Sequence, residues 1–99
     1  MIRLMVTYPA VEGSKFDGEY WTTKHMPLVS SSWSQVVKWE ADLGLPGQPN
    51  HAVAHIFFDT AEDMQAALGG PGAAAVMGDI VNYTDVQPAI QISTVAAHA

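Results

Sequence analysis

The distribution of apolar and polar residues along the chain predicts four strands. Residues 2–8 (IRLMVTY) and 34–43 (SQVVKWEADL) alternate between apolar and polar side chains, which is typical of half-exposed strands. Residues 52–58 (AVAHIFF) are apolar on both faces, as expected of a central strand that is covered twice. The last strand is predicted over residues 86–95, and Pro88 within it indicates a sheet edge or a bulge.

A first helix is predicted over residues 16–29 (FDGEYWTTKHMPLV), with an aromatic-rich face. Trp21, His25 and Leu28 follow the i, i+4, i+7 spacing and therefore share that face. Pro27 lacks an N–H group and its ring clashes with the preceding turn, so we expect the helix to break or kink directly after His25. A titratable side chain beside such a break is a reasonable place for chemistry, although a packed core histidine is the structural alternative.

A second helix is predicted from Thr60 to about residue 68, because Thr60 is a good N-cap and Gly69 and Gly70 follow. A short helical turn is expected over residues 73–77, and residues 78–85 are predicted to be irregular. The resulting order, βαββαβ, indicates an α+β, ferredoxin-like domain over residues 1–99. This fold is an antiparallel four-stranded sheet with two helices on one face.

The sheet face away from the helices needs its own cover. Neighbouring strand residues that point to opposite faces are both apolar, as in Leu4 and Met5 or Ile56 and Phe57. The chain is 48% hydrophobic and only 14% charged, which suits a protein that hides part of its surface. We therefore expect a homodimer whose sheets meet face to face; a monomer with an unusually apolar face is the alternative.

Composition excludes several classes of function. The net charge is −6, and the four basic residues are scattered, so no nucleic-acid partner is expected. There is no cysteine, which rules out disulfides, thiolate nucleophiles and cysteine metal sites. No apolar run approaches the ~20 residues of a membrane span, and the N-terminus does not resemble a signal peptide, so we expect a cytoplasmic protein without a membrane partner.

Among the four histidines, His25 is the main candidate for chemistry. His51 and His55 lie about 13 Å apart if both belong to an extended strand, which is too far for a shared metal ion. His55 is a candidate for lining a binding site, or else a satisfied core or interface group, and His98 lies in the tail. No metal and no cofactor are expected, since phosphate-loop and dinucleotide motifs are also missing.

A neutral imidazole in an aromatic pocket can move protons near neutral pH. We predict His25 and Tyr83 as the catalytic pair. The predicted substrate-binding residues share polar or aromatic side chains near the helix or the sheet ends: Tyr8, Tyr20, Trp21, Trp39, His55, Asp79 and Asn82. Each residue also has a structural explanation: Asp79 can form a turn, and Tyr83 and Trp39 can fill the hydrophobic core.

Four segments give the chain a family resemblance. The YP after the first strand, FDGEYWTTKHMPLV, HIFFDTAEDMQAAL and DIVNYTDVQPAIQIS resemble the EthD family over nearly the whole chain. In this resemblance His25 matches the motif histidine, Trp21 stands where an aromatic is usual, and other motif positions are matched by Asp17, Tyr20, Pro27, Asn82 and Tyr83. The resemblance implies a dimeric α+β barrel with a ligand pocket between the sheet and helices of each subunit.

The related families include cofactor-free monooxygenases, muconolactone-type isomerases and polyketide dehydratases or cyclases. The isomerases that use a cysteine are not matched, because this chain has none. We therefore expect a small homodimeric enzyme without a cofactor, acting on a small apolar or aromatic carbonyl compound through His25 acid–base chemistry. The alternatives are a non-catalytic ligand-binding or accessory protein, and a purely structural dimer with a packed histidine and no cavity.

Overall fold

A computed structural model describes residues 1–99. The strands are β1 (Ile2–Pro9), β2 (Val36–Leu43), β3 (Asn50–Phe58) and β4 (Ala89–Thr94). The helices are α1 (Gly18–Tyr20), a π-helical segment (Trp21–His25), α2 (Met26–Ser32), α3 (Ala61–Leu68), α4 (Ala73–Gly78) and a 3₁₀ turn (Ile80–Asn82). No helix is both long enough and apolar enough to cross a membrane.

The four strands form one antiparallel sheet in the order β2-β3-β1-β4. This topology confirms the predicted α+β, ferredoxin-like fold, with β1 and β3 in the centre. β4 is an edge strand that begins at Ala89, immediately after Pro88. A proline at that point costs no ladder hydrogen bond, because the paired segment starts only after it.

The two faces of the sheet differ in composition. The helix-covered face carries buried residues that include Leu4, Tyr8, Ala52, Ala54, Ile56 and Phe58. The open face carries three rows set by the strand register: Lys38, Phe57, Arg3 and Ser93; then Glu40, His55, Met5 and Gln91; then Asp42, Val53, Thr7 and Ala89. The open face is therefore mixed rather than apolar. Phe57, its largest apolar side chain, is covered by the Arg3 and Lys38 cations, which lie 5.1 and 4.6 Å from its ring.

The sequence predicts a break or a kink after His25; the break is wrong, because the helix continues through Pro27 to Ser32. The irregularity lies instead directly before the proline, where the Met26 N–H bonds to the Trp21 carbonyl, five residues back. A π turn is wider than an α turn, so it accommodates the proline ring without the usual clash. In the preceding turn, Thr23 Oγ1 donates to the Glu19 carbonyl, four residues back, at 2.6 Å.

Side chains cap the N-termini of two of the helices, α1 and α3. Asp17 caps α1 by accepting from the Tyr20 N–H, and Thr60 caps α3 by accepting from the Asp63 N–H, as its sequence position predicts. Gly72 precedes α4 at a crowded point, where a Cβ would collide with the Ser32 carbonyl oxygen at the end of α2. This close approach brings Asp79, directly after α4, alongside the π-helical segment.

Candidate active site

The centre of the candidate site is a hydrogen-bonded pair between His25 and Asp79. His25 Nδ1 lies 2.9 Å from Asp79 Oδ2, and the His25 side chain is only 4% exposed against 12% for Asp79. The other carboxylate oxygen, Oδ1, accepts from the Tyr20 hydroxyl at 2.6 Å and from the Asn82 amide at 2.9 Å. Two further donors, Tyr20 and Asn82, thus hold the Asp79 carboxylate against the imidazole.

The second ring nitrogen of His25 begins a chain of hydroxyl groups that leads into the core. His25 Nε2 lies 3.2 Å from the Tyr83 hydroxyl, which lies 2.8 Å from the Tyr8 hydroxyl on β1. An ionised Asp79 only accepts, so Nδ1 carries the imidazole hydrogen and Nε2 carries the lone pair. Tyr83 therefore donates to His25, and Tyr8 donates to Tyr83. The four side chains form a directed relay, Tyr8–Tyr83–His25–Asp79.

The pKa directions agree with this assignment of hydrogens. Burial lowers the pKa of His25 below its ordinary 6.5, against the opposing effect of Asp79, so the imidazole is neutral at pH 7. Burial acts to raise the pKa of Asp79, but the hydrogen bonds from Tyr20, Asn82 and His25 outweigh it and lower the pKa below 3.8. Burial raises the pKa of Tyr83 far above 10.0, which keeps its hydroxyl a donor.

An aromatic shell surrounds the relay, and its central member was not among the predicted site residues. The Phe16 ring lies 5.1 Å from that of Tyr8, 5.3 Å from that of Trp21 and 5.6 Å from that of Tyr83. Such tilted and edge-to-face pairs contribute about 1 kcal/mol each beyond area burial. Phe16 is the first residue of the predicted helix 16–29, but in the structure it precedes the helix and forms an isolated bridge with Thr84.

The structure brings most of the predicted residues together and leaves two of them elsewhere. Six lie in or against the relay: Tyr8, Tyr20, Trp21, Asp79, Asn82 and Tyr83. Trp39 instead packs at the β2 edge and donates from Nε1 to Ser30 Oγ at 2.7 Å. His55 points to the open face of the sheet, where it pairs with Asp42 at 3.0 Å. Those two side chains therefore do not belong to one site with His25.

A surface pocket adjoins the relay. It has a volume of about 370 Å³ and is lined by Lys15, Phe16, Asp17, Val81, Asn82, Tyr83, Thr84 and Asp85. His25 does not line this pocket, so a molecule in it would meet Tyr83, Phe16 and Asn82 first. No group of three or more His, Cys, Asp or Glu side chains is arranged to hold a metal ion.

Solved structures place the chain among known folds. An EthD-like protein from Ralstonia eutropha JMP134 is 35% identical, with a TM-score of 0.88 over 99% of this chain and 94% of that one. A dimeric ferredoxin-like protein of unknown function from Bacteroides fragilis is 15% identical (TM-score 0.61, 93% of each chain). A cofactor-independent oxygenase from Streptomyces nogalater is 12% identical (TM-score 0.68, 98% and 94%). The last two likenesses show the fold alone. No family model and no curated protein matches the chain by sequence.

Proposed function

Because the chain belongs to the EthD-like family, we propose that it is a cofactor-independent enzyme that moves a proton on a small apolar or aromatic carbonyl compound. The observation that carries the proposal is the Tyr8–Tyr83–His25–Asp79 relay. A buried neutral imidazole oriented by a carboxylate is the arrangement that general base catalysis needs. The fold of the Streptomyces nogalater oxygenase supports chemistry without a cofactor in this architecture.

The relay gives the proton a complete path. The Tyr83 oxygen takes a proton from the carbon next to the substrate carbonyl, while the Tyr83 hydroxyl passes its own proton to His25 Nε2 at 3.2 Å. The electrons of the broken C–H bond move to the carbonyl oxygen and give an enolate. Asp79 stabilises the imidazolium that forms, and reversal of the steps returns the proton to carbon. Isomerisation, elimination and cofactor-free oxidation all begin with this step.

Deuterium incorporation tests the proposed proton transfer without assuming the final product. Phenylacetone, 2-tetralone and 4-hydroxyphenylacetone are incubated with the protein in D₂O, and loss of the α-proton signal is followed by NMR. We expect exchange above the buffer rate for at least one ketone, and a decrease of about 100-fold in His25→Gln. His98→Gln, in the exposed tail, is the matched control and keeps the wild-type rate. Full exchange by His25→Gln would contradict the assigned role.

We also propose that the working form is a homodimer joined through the open sheet face. This face carries Met5, Val53, Phe57 and Ala89 among its polar residues, and the Bacteroides fragilis neighbour of the same fold is dimeric. Sedimentation should give about twice the 10.6 kDa chain mass. Met5→Glu places a charge at the centre of the face and should give a monomer, whereas Val81→Glu, on the exposed 3₁₀ turn, should not. A wild-type monomer at all concentrations would overturn this proposal.

One observation favours a non-catalytic ligand-binding or accessory role as the second candidate. Both ring nitrogens of His25 already have hydrogen-bond partners, and the residue is 3% exposed. A histidine in this state also serves simply to order the core around a bound molecule. Stoichiometric binding of one of the three ketones without deuterium incorporation would select this function over catalysis.

A further inference from the structure

The Phe16 ring contacts several of the aromatic side chains around the relay. It contacts the rings of Tyr8, Trp21 and Tyr83, and on its other side it stacks on His51 with an interplanar angle of 18°. Phe16 is nevertheless only half-buried, and it lines the 370 Å³ surface pocket together with Tyr83. Its ring therefore separates that pocket from the buried side chains behind it.

Behind Phe16 lies a buried donor without an acceptor. Trp21 is completely buried, yet its indole Nε1–H has no hydrogen-bond partner. A buried N–H without an acceptor has lost its hydration and gained nothing in return, so its persistence needs an explanation. Burial raises the pKa of the Tyr8 hydroxyl, while Tyr83, which it hydrogen-bonds, and the nearby Trp21 indole N–H lower it. The indole N–H therefore faces the Tyr8 hydroxyl but does not reach it with hydrogen-bond geometry.

The other tryptophans show that this position is special. Trp39 Nε1 is satisfied by Ser30 Oγ at 2.7 Å. Trp33 Nε1 is also buried and unpaired, but the aromatic neighbour of that indole is Phe58, which offers no hydroxyl. Only Trp21 combines an unpaired N–H with a ring contact to a tyrosine of the relay, at 5.8 Å between the Tyr8 and Trp21 rings.

We propose that the ring of a planar, single-ring aromatic carbonyl ligand takes the place of the Phe16 ring, while its oxygen accepts from Trp21 Nε1–H and from the Tyr8 hydroxyl. Phe16 would then turn out towards the surface pocket that it already lines. The size of the exchanged group sets the ligand class, because one phenyl ring is replaced by another of similar shape. This inference rests on the proposed function, since Tyr8 belongs to the same relay.

Replacement of the Phe16 ring by the ligand ring would also activate the relay. Tyr8 has one hydroxyl hydrogen, so donating it to the ligand oxygen withdraws it from Tyr83, 2.8 Å away. The Tyr83 oxygen then has a free lone pair next to the ligand, in position to accept a proton from the carbon two bonds from the bound oxygen. Trp21 and Tyr8 would stabilise the resulting enolate, and the relay would be idle until a ligand arrives.

The indole N–H resonances of ¹⁵N-labelled protein test the placement directly, because the chain has three tryptophans. On titration with phenylacetone, we expect the Trp21 indole signal to shift downfield while those of Trp33 and Trp39 stay in place. Phe16→Ala should bind phenylacetone about tenfold more tightly than wild type. In the wild type, only the minor fraction of molecules whose Phe16 ring has turned outwards can bind, and the apparent affinity is reduced by that fraction. Assignment uses Trp21→Phe, and Trp33→Phe is the matched control that retains binding.

Each outcome bears on this inference separately from the proposed function. Binding with a Trp21 shift but no deuterium incorporation keeps the ligand site and ends the catalytic proposal. Deuterium incorporation with an unmoved Trp21 signal, or Phe16→Ala binding no better than wild type, overturns the ligand site alone. Should Phe16→Ala fail to fold, Phe16→Leu removes the ring and keeps an apolar side chain, and the wild-type titration still decides the Trp21 contact.

Discussion

The protein contains two histidine–aspartate pairs of nearly equal length in opposite environments. His25 and Asp79 meet at 2.9 Å on the helix side, with side chains 4% and 12% exposed. His55 and Asp42 meet at 3.0 Å on the open sheet face, with side chains 20% and 63% exposed. The distance between the imidazole and the carboxylate therefore says little about what each pair can do.

The difference lies in what surrounds each pair. Asp79 accepts from two further donors, and His25 continues through Tyr83 into a closed hydroxyl relay. Asp42 is mostly in water, where screening and side-chain freedom remove most of the value of an ion pair. A short contact thus becomes a candidate for chemistry only where burial lowers the local dielectric and the remaining polar atoms of the pair itself have partners.

The largest expected effect comes from breaking the buried pair. Asp79→Ala leaves the buried His25 Nδ1–H without an acceptor, so we expect the free energy of unfolding to fall by about 2 kcal/mol. The matched change on the open face, Asp42→Ala, should cost less than about 0.5 kcal/mol. Urea unfolding followed by tryptophan fluorescence measures both. Equal losses in the two variants would mean that burial does not distinguish the pairs.

A smaller effect is expected one step further along the relay. Tyr83→Phe removes a donor to His25 and an acceptor of Tyr8 at once, and should cost about 1–2 kcal/mol of unfolding free energy. Tyr8→Phe removes only the last donor and should cost less. If the hydroxyls form one network, the double variant will lose less than the sum of the single losses. Strict additivity would show that the two hydroxyls act independently.

Much of this comparison could be predicted from the sequence, because the relevant patterns are local. Alternation and an apolar run located the four strands along the chain, and helical spacing placed Trp21 and His25 on one face. The polar residues of 78–85 lie after the last helix of a ferredoxin-like order, so their approach to His25 follows from the predicted topology. Asp79 and Tyr83 are the clearest cases.

The remaining features depend on packing that no local pattern encodes. The helix does not break at Pro27, because a π turn accommodates the proline ring. That turn depends on the hydrogen bond from the Met26 N–H to the Trp21 carbonyl, which lies five residues back instead of four. His55 and Trp39 were expected at the site. Strand register sends His55 to the open face, and Trp39 lies on the edge strand β2, where it donates to Ser30. Phe16 was missed because its position depends on a single bridge to Thr84.

The smallest expected effect is a pH dependence of stability that comes from the buried pair. Burial lowers the pKa of His25 in the folded protein, so the unfolded chain takes up a proton first as the pH falls below 6.5. Stability should therefore decrease from pH 7 to pH 5.5. Asp79 adds a second loss only near and below pH 3.8, because its pKa is also lowered and it is ionised in both states above that range.

His25→Gln should show a flatter profile of urea midpoints between pH 7 and 5.5. A wild-type midpoint that rises on acidification would mean that attraction to Asp79 outweighs burial, and the imidazole would then be a cation rather than the neutral base that the relay requires.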